Sequence, residues 1–393
     1  MLILIHLLTV LSLLAPTAGC KKDIGADNIY TVSQHGPNRD SVNGTVSGSR
    51  RNAITAAVAK ASPAVVGINV TEIRNVQVSP FGGMGGFGGW DPFFTYTQRA
   101  KVKALGSGFI ISPDGYVLTN DHVAGDALKI IVTTTDGSEY DAKLIGTDRA
   151  SDVSLLKIDK TGLPYLKLGN SDDLAVGEWA IAMGNPFGLF SINDKPTVTV
   201  GVISNTNVNL GVEEGRNYRG MIQTDAAISS GNSGGPLLNA NGEVIGMNAT
   251  IRTTAVVRTE GGGEQAGSIG LGFAIPVNKI KEVVDRLRAG ETVNHNIGNL
   301  GMGFQDLTDE YKEYLNIKND VGVVVDPLYR GGLAEQAGFH AGDLIVAVND
   351  EKVRSTDGLQ SAIYAHEVGE KVTFHIVRDG RPMDIKMKLP GGK

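Results

Sequence analysis

Residues 231–247 read GNSGGPLLNANGEVIGM, and the fold turns on the residues after the serine. Ser233 stands between Gly231 and the pair Gly234-Gly235, residues that let a backbone adopt unusual dihedrals and approach a ligand closely. Taken alone, the spacing Gly231-x-Ser233-x-Gly235 also fits the strand-turn-helix elbow of α/β-hydrolases. The downstream residues spell a β-hairpin instead: Leu237-Leu238 and Val244–Met247 flank Asn241-Gly242, a strong two-residue turn signal. A serine that leads into a hairpin is not on that elbow.

A hydroxyl is a poor nucleophile at neutral pH and needs an adjacent base, itself oriented by a third group. Every histidine after Ser233 (His295, His340, His366 and His375) lies in a separate C-terminal unit, which also speaks against the hydrolase order. His6 falls in an apolar leader and His35 in a polar stretch, leaving His122 in Leu118-Thr119-Asn120-Asp121-His122-Val123. A lone histidine beside a strand is more often structural, but here it is the one candidate base in the region. Asp152, in Ser151-Asp152-Val153-Ser154-Leu155-Leu156, opens an apolar strand and so stands at a rim, with Asp121, Asp148 and Asp225 as rivals on chemistry alone. The order His, Asp, Ser is that of chymotrypsin-type β-barrel proteases.

Outward from these residues the text is strand, turn, strand. Ser107–Ser112 passes through Pro113-Asp114-Gly115 into Tyr116–Thr119, and Leu128–Thr135 runs into Asp136-Gly137. Short strands punctuated by glycine turns point to an antiparallel barrel or sandwich, so the fold class is mainly β. The 52 glycines among 393 residues agree, since an average chain carries only about 7%. A short helix is expected over Asn52–Ala61, stopped by Pro63, then a strand over Ala64–Val70. The first long helical pattern is Val277–Ala289, with Val283, Val284 and Leu287 on one face and Gly290 as its stop. A net charge of −6 gives no reason to expect nucleic acid as a partner.

Residues 291–393 read as a small α+β domain. It has a strand Gly322–Val325, a helix Leu333–Ala337 ended by Gly338, a strand Leu344–Val348 and a helix Asp357–Ala365. A hairpin of Lys371–Val377 and Met383–Leu389 closes it. At the other end, residues 2–14 form an apolar run, short for a bilayer span and suited to a signal-peptide core. Residues 1–20 are therefore expected to be a signal and the polar residues 21–51 a flexible tether. Residues 79–94, glycine with interleaved aromatics, read as a surface loop or as an aromatic-tipped loop that touches the site or another subunit. Cys20 is the sole cysteine, so no internal disulfide is possible.

Together, several stretches make the chain resemble the HtrA/Deg family of bacterial trypsin-fold serine proteases across about residues 52–390. They are Thr119–Val123, Ser151-Asp152-Val153, Gly184-Asn185-Pro186-Phe187-Gly188, Gly201-Val202-Ile203-Ser204, Gln223–Ile228, Gly231–Pro236 and Gly272–Pro276. That resemblance implies a double β-barrel protease domain over 52–290, with His122, Asp152 and Ser233 as the triad. It further implies an oxyanion hole from the amides of Gly231 and Ser233, with Asn232 between them. Ala227 occupies the place of the trypsin-like specificity acid, six residues before the nucleophile. With Ile228 on that side and Asn248-Ala249-Thr250 opposite, the pocket should favour small aliphatic side chains. The terminal unit resembles a bacterial PDZ domain, with Leu300-Gly301-Met302-Gly303 as its carboxylate-binding loop and Ala337–Ile345 as its helix-turn-strand. Such a domain takes an extended C-terminal peptide at a sheet edge. Leu359 and Ile363 either face that groove or belong to the core.

The same resemblance implies a periplasmic or envelope location, a homotrimer, and unfolded or misfolded proteins as substrates. C-terminal peptides would regulate cleavage through the loops 185–195, 205–219, 226–231 and 251–268. Thr17-Ala18-Gly19-Cys20 resembles a bacterial lipobox, which implies acylation of Cys20 and membrane anchoring; the alternative is a simply cleaved signal. Two other classes stay open: a chaperone that binds unfolded chains without cutting them, and a peptide-binding scaffold. No His-Glu-x-x-His, cysteine pair or phosphate loop is present, so neither a metal, a nucleotide nor any other cofactor is expected.

Overall fold

The computed structural model describes residues 50–78, 96–191, 194–229, 231–249, 256–258, 264–266, 270–291, 293–295, 297–314 and 317–392. The expectations placed on residues 1–20, on most of the tether, on Cys20, on 79–94 and on Thr250 lie outside them. A helix, α1 (Ala53–Ala61), opens the described chain. Asn52 caps it: its side chain accepts from Thr55 N at 2.9 Å, while Thr55 Oγ1 accepts from Asn52 N at 3.1 Å. A reciprocal cap of this kind stabilises a helix start by about 1 kcal/mol.

Six strands then close a first barrel: β1 (Val65–Val78), β2 (Tyr96–Ile110), β3 (Tyr116–Thr119), β4 (Lys129–Thr133), β5 (Glu139–Asp148) and β6 (Val153–Ile158). Their spatial order is β1-β2-β3-β6-β5-β4, every pair antiparallel. A short helix α2 (Asp121–Ala124) follows β3 directly. Ile68, Phe109, Ile110, Leu118, Val132, Leu155 and Leu156 are fully buried, inside the barrel or between its outer face and the neighbouring elements. The expected strand Ala64–Val70 runs on as far as Val78. β5 had no counterpart in the sequence reading, because most of its residues are exposed or half-exposed and its apolar alternation is weak.

A second closed barrel has the order β11-β16-β13-β12-β7-β8. It draws on β7 (Trp179–Gly184), β8 (Thr197–Val208), β11 (Met221–Thr224), β12 (Pro236–Leu238), β13 (Val244–Ala249) and β16 (Gly272–Pro276). Ala180, Ala182, Ile203, Ile222, Leu237, Ile245 and Ala274 make its interior. Between β8 and β11 lies a two-stranded ribbon of β9 (Val212–Glu213) and β10 (Arg216–Asn217). A second ribbon pairs β14 (Val256–Arg258) with β15 (Glu264–Ala266). The long helix α3 (Val277–Arg288) turns Ile280, Val284 and Leu287 inward, and Leu287 packs over Gly146 of β5. The hairpin expected after Ser233 is the β12–β13 pair.

The C-terminal sheet has the path β17-β18-β19-β21-β22, with β20 beside β19. These are β17 (Met302–Asp306), β18 (Val323–Leu328), β19 (Leu344–Val348), β20 (Glu351–Lys352), β21 (Lys371–Arg378) and β22 (Arg381–Lys388). With it go α4 (Asp309–Tyr314), α5 (Leu333–Ala337) and α6 (Thr356–Tyr364). Phe339 and Phe374 meet edge to face at 5.3 Å in a core of its own. The architecture is thus two β-barrels followed by a small α+β unit.

Candidate active site

The turn from β3 into α2 and the start of β6 come together at the rim of the first barrel. There Asp152 holds His122 by two routes. The backbone N–H of His122 donates to Asp152 Oδ1 at 2.9 Å, and ring Nδ1 lies 2.8 Å from Oδ2 and 3.1 Å from Oδ1. A carboxylate at Nδ1 keeps the proton on that nitrogen, which leaves Nε2 in the state a general base requires. Asp152 is fully buried, whereas the imidazole is about one quarter exposed at 26%. The aspartate also sits at a φ of 58°, a left-handed conformation uncommon for a non-glycine residue. Asn120 Nδ2 secures that turn by donating to the Asp152 carbonyl at 3.0 Å.

The rival aspartates are engaged elsewhere. Asp148 accepts from Ala150 N at 3.1 Å and from the Ser151 hydroxyl. Asp225 Oδ1 accepts from Val202 N at 2.6 Å. Asp121 accepts from Thr147 Oγ1 at 2.7 Å and pairs with Arg216. Among the four, Asp152 is the one joined to the imidazole.

Ser233 arrives from the second barrel, on the turn before β12, and is 4% exposed. Ser107 of β2 ties this turn to the first barrel. Ser107 N donates to the Ser233 carbonyl at 2.9 Å, and Ser107 Oγ donates to the Gly231 carbonyl at 2.5 Å while accepting from Asn185 N at 2.7 Å. Thr119 Oγ1, two residues before Asp121, donates to the Ser107 carbonyl at 2.7 Å. Gly234 N donates to the Asn248 carbonyl at 2.9 Å. Gly231 and Gly234 have φ values of 97° and 83°, which favour glycine at both places. A Cβ on Gly234 would run into the Ser107 carbonyl, the Thr119 hydroxyl and Asn120 N.

The expected pocket residues separate into two groups. Ala227 is exposed, with its carbonyl accepting from Thr199 Oγ1 at 2.7 Å. Ile228 is buried in the second-barrel core, against Gly272. On the opposite strand, Asn248 turns its side-chain amide to the carbonyls of Met183 and Pro236, at 3.2 and 3.3 Å, and Ala249 is buried in the core. Asn232 is buried between Gly231 and Ser233, and its backbone N–H donates to the Ser229 carbonyl at 2.9 Å.

In the α+β unit a cavity of about 290 Å³ is lined by Leu300, Met302, Phe304, Gln360, Ile363 and Tyr364, and by Val212 of the β9–β10 ribbon, among others. Leu300, Met302 and Ile363 therefore meet as expected of a groove. Gly301, at a φ of 82°, makes the turn before β17, and a Cβ on Gly303 would strike Pro327. Leu359 resolves to the core: it is fully buried among the residues of the C-terminal core and does not line the cavity. Helix positions four apart share a face, but here the outer edge of that face passes through Gln360, Ile363 and Tyr364.

Three residues at the site were not singled out in the sequence: Ser107, Arg216 and Tyr218. Arg216, in β10, and Tyr218, just after that strand, reach Asp152. Arg216 Nη2 donates to Asp121 Oδ2 at 2.8 Å, and its Nε lies 3.2 Å from Asp152 Oδ1, off the hydrogen-bonding direction. The Tyr218 hydroxyl donates to Asp152 Oδ2 at 3.2 Å. Burial works against the Arg216 charge, yet Asp152 and Asp121 outweigh it and raise its pKa. Burial first, and the Asp152 carboxylate second, push the Tyr218 phenol far above the ordinary tyrosine value.

Comparison with known proteins places both parts of the chain. Residues 106–247 match the trypsin-like peptidase domain family and residues 298–389 the PDZ domain family. A probable periplasmic serine endoprotease, DegP-like, from Chlamydia trachomatis serovar D is 44% identical over 74% of the chain, which spans 54% of that relative. One described in the same words from Ectopseudomonas mendocina is 38% identical over 85% of the chain and 70% of its own length. The chain thus spans about half to two thirds of the curated relatives it matches. Among solved structures, an HtrA-type protease, AlgW, with a decapeptide is similar at 34% identity and a TM-score of 0.61, covering 86% of this chain and 98% of that one.

Proposed function

Because the chain belongs to the family of HtrA-type, DegP-like serine endoproteases, we propose that it is an ATP-independent serine endopeptidase of the bacterial envelope, with Ser233 as nucleophile. The observation that carries this reading is the meeting of two barrels. One supplies His122 locked to Asp152, and the other supplies the Ser233 turn, joined to the first by Ser107.

In this reading the Ser233 hydroxyl attacks the scissile carbonyl and passes its proton to His122 Nε2. Asp152 holds the imidazole in the required tautomer and stabilises the imidazolium. The amides of Gly231 and Ser233 face the developing oxyanion; one such donor is worth about two to three orders of magnitude in turnover elsewhere. His122 then protonates the leaving amine, and water, deprotonated in turn by His122, releases the acyl group.

Substrates are unfolded or misfolded proteins cut after small aliphatic residues, since neither Ala227 nor the neighbouring Ile228 offers a charge to Lys or Arg. The groove of Leu300, Met302 and Ile363 takes C-terminal peptides by strand addition beside β17, a reading favoured by the peptide held in the AlgW structure. Assembly as a homotrimer and anchoring through an acylated Cys20 complete the proposal. Digestion of unfolded casein by wild type and by Ser233→Ala, with the cut sites mapped, tests it. Cleavage retained in the alanine variant removes Ser233 from the role, and cuts after Lys or Arg overturn the pocket assignment.

A further inference from the structure

Two carboxylates and one guanidinium share a buried space behind His122. Arg216 and Asp121 are each exposed by 6% at their side chains, and Asp152 not at all. Such burial costs several kcal/mol per ion, and well-packed apolar residues often serve stability as well or better. Strongly coupled buried charges gather where a protein tunes chemistry. The geometry is also asymmetric. Arg216 makes its directed hydrogen bond to Asp121, whereas toward Asp152 it offers charge without hydrogen-bond alignment.

We propose that Arg216 is a positioning residue for the His122–Asp152 pair, and that Asp121 keeps it from neutralising Asp152. The inference rests on the triad reading under the proposed function. Arg216 and Tyr218 together meet both oxygens of Asp152 on the ribbon side, while His122 meets them on the other. The carboxylate is thereby fixed in the plane that presents it to Nδ1. With His122 neutral, the group Asp121, Asp152 and Arg216 carries a net charge of −1, and the imidazolium formed during catalysis brings it to zero. Were Arg216 to face Asp152 alone, the aspartate would already be neutralised and would stabilise the imidazolium less. The other charged groups facing this cluster are Glu214, 3.4 Å from Arg216 Nη1, and Lys279, which senses both Asp148 and Asp152. Glu213 acts through Tyr218.

The arrangement makes two charge-removing substitutions act in opposite directions. Arg216→Met leaves two unbalanced carboxylates, so the base holds its proton more tightly and the acidic limb of the activity profile moves to higher pH. Asp121→Asn leaves Arg216 to Asp152 alone, and the limb moves to lower pH. Asparagine can keep the local contacts, turning its oxygen to Arg216 and its NH₂ to the Thr147 hydroxyl. One charge a few ångströms away in a partly screened site is expected to move the limb by about one pH unit.

The test is the rate of Ser233 labelling by a fluorophosphonate across the range in which histidine titrates. The serine oxygen bonds phosphorus, fluoride leaves and the proton goes to His122, so no peptide specificity enters. Limbs displaced upward in Arg216→Met and downward in Asp121→Asn are the expected result. Arg216→Lys should restore the wild-type limb at a lower maximal rate, with half-saturation unchanged. Limbs that stay in place, or move together, overturn the inference and make Arg216 a structural staple. Should Arg216→Met fail to fold in a thermal melt, an unmoved limb in Asp121→Asn still overturns it. A wild-type protein that labels no better than Ser233→Ala sinks the triad reading itself, and the inference with it.

Discussion

Asn217 and Ser361 hold each other by two buried hydrogen bonds. Asn217 Nδ2 donates to the Ser361 carbonyl at 2.8 Å, and Ser361 Oγ donates to Asn217 Oδ1 at 2.7 Å. Asn217 lies between Arg216 and Tyr218, the two residues that reach Asp152, and Ser361 lies on α6, between the groove residues Gln360 and Ile363. This residue pair therefore connects the groove helix to the surroundings of Asp152. Ser361→Ala removes a donor and leaves a buried amide oxygen short of a partner, a change worth about 1–3 kcal/mol. If peptide binding acts through this pair, the ratio of casein cleavage with and without a C-terminal peptide should fall toward one in the variant. The cleavage rates of both proteins, with and without peptide, check it, and an unchanged ratio places the coupling elsewhere.

Asp152→Asn tests the orientation of the base. The amide oxygen can still accept from His122 N, but the amide NH₂ then faces ring Nδ1 and donates to it, which holds the wrong tautomer, and it brings no negative charge to stabilise an imidazolium. By analogy with other triads, turnover should fall by about four orders of magnitude. Circular dichroism should show the fold retained, because the Asn120 link to the residue 152 carbonyl does not depend on the side chain. A loss of less than tenfold would remove Asp152 from the triad.

Ser233 and His122 could be singled out in the sequence because each stands in a local setting with few alternatives: a serine among glycines ahead of a hairpin, and one histidine left in the barrel region. Asp152 was harder to separate from Asp121, Asp148 and Asp225, since chemistry alone does not distinguish carboxylates. Three-dimensional structure does, through the 2.8 Å contact to His122. Arg216 and Tyr218 left no trace in the sequence because they act across 64 and 66 positions, from within or just after a ribbon whose four paired residues carry no apolar period. Ser107 was hidden for the same reason: it meets Gly231 from 124 positions away. Helix periodicity placed Leu359 and Ile363 on one face but could not say where the core ended and the groove began.

Gly234→Ala should be among the most damaging single changes around Ser233. The residue has a φ of 83°, and an added Cβ would meet the Ser107 carbonyl, a backbone group with little room to give. Strain at φ and a backbone clash together are expected to cost about 3 kcal/mol or more. Because Ser107 also holds the Ser233 and Gly231 carbonyls, the rearrangement falls on the Ser233 turn. Urea denaturation should show the midpoint lowered, and fluorophosphonate labelling of the folded fraction should be slowed. A midpoint equal to that of wild type would contradict the contact geometry.

Tyr218 yields a prediction at alkaline pH, with a sign set by its buried contact with Asp152. Its phenol is held protonated far above the ordinary value of 10.0, chiefly by burial and next by the Asp152 carboxylate. In the unfolded chain the same phenol ionises near its ordinary value, so above that point the native state binds more protons than the unfolded state. Stability from this group is therefore complete below about pH 10 and is lost as pH rises beyond it, with a slope approaching about 1.4 kcal/mol per pH unit. Tyr218→Phe removes the titration along with the hydrogen bond. The variant should be the less stable protein at neutral pH, yet lose less stability than wild type on going to alkaline pH. Denaturation series for both proteins on either side of pH 10, read beside tyrosinate absorbance, decide the matter. Parallel losses in the two would mean that Tyr218 titrates in the native state as an ordinary surface phenol does.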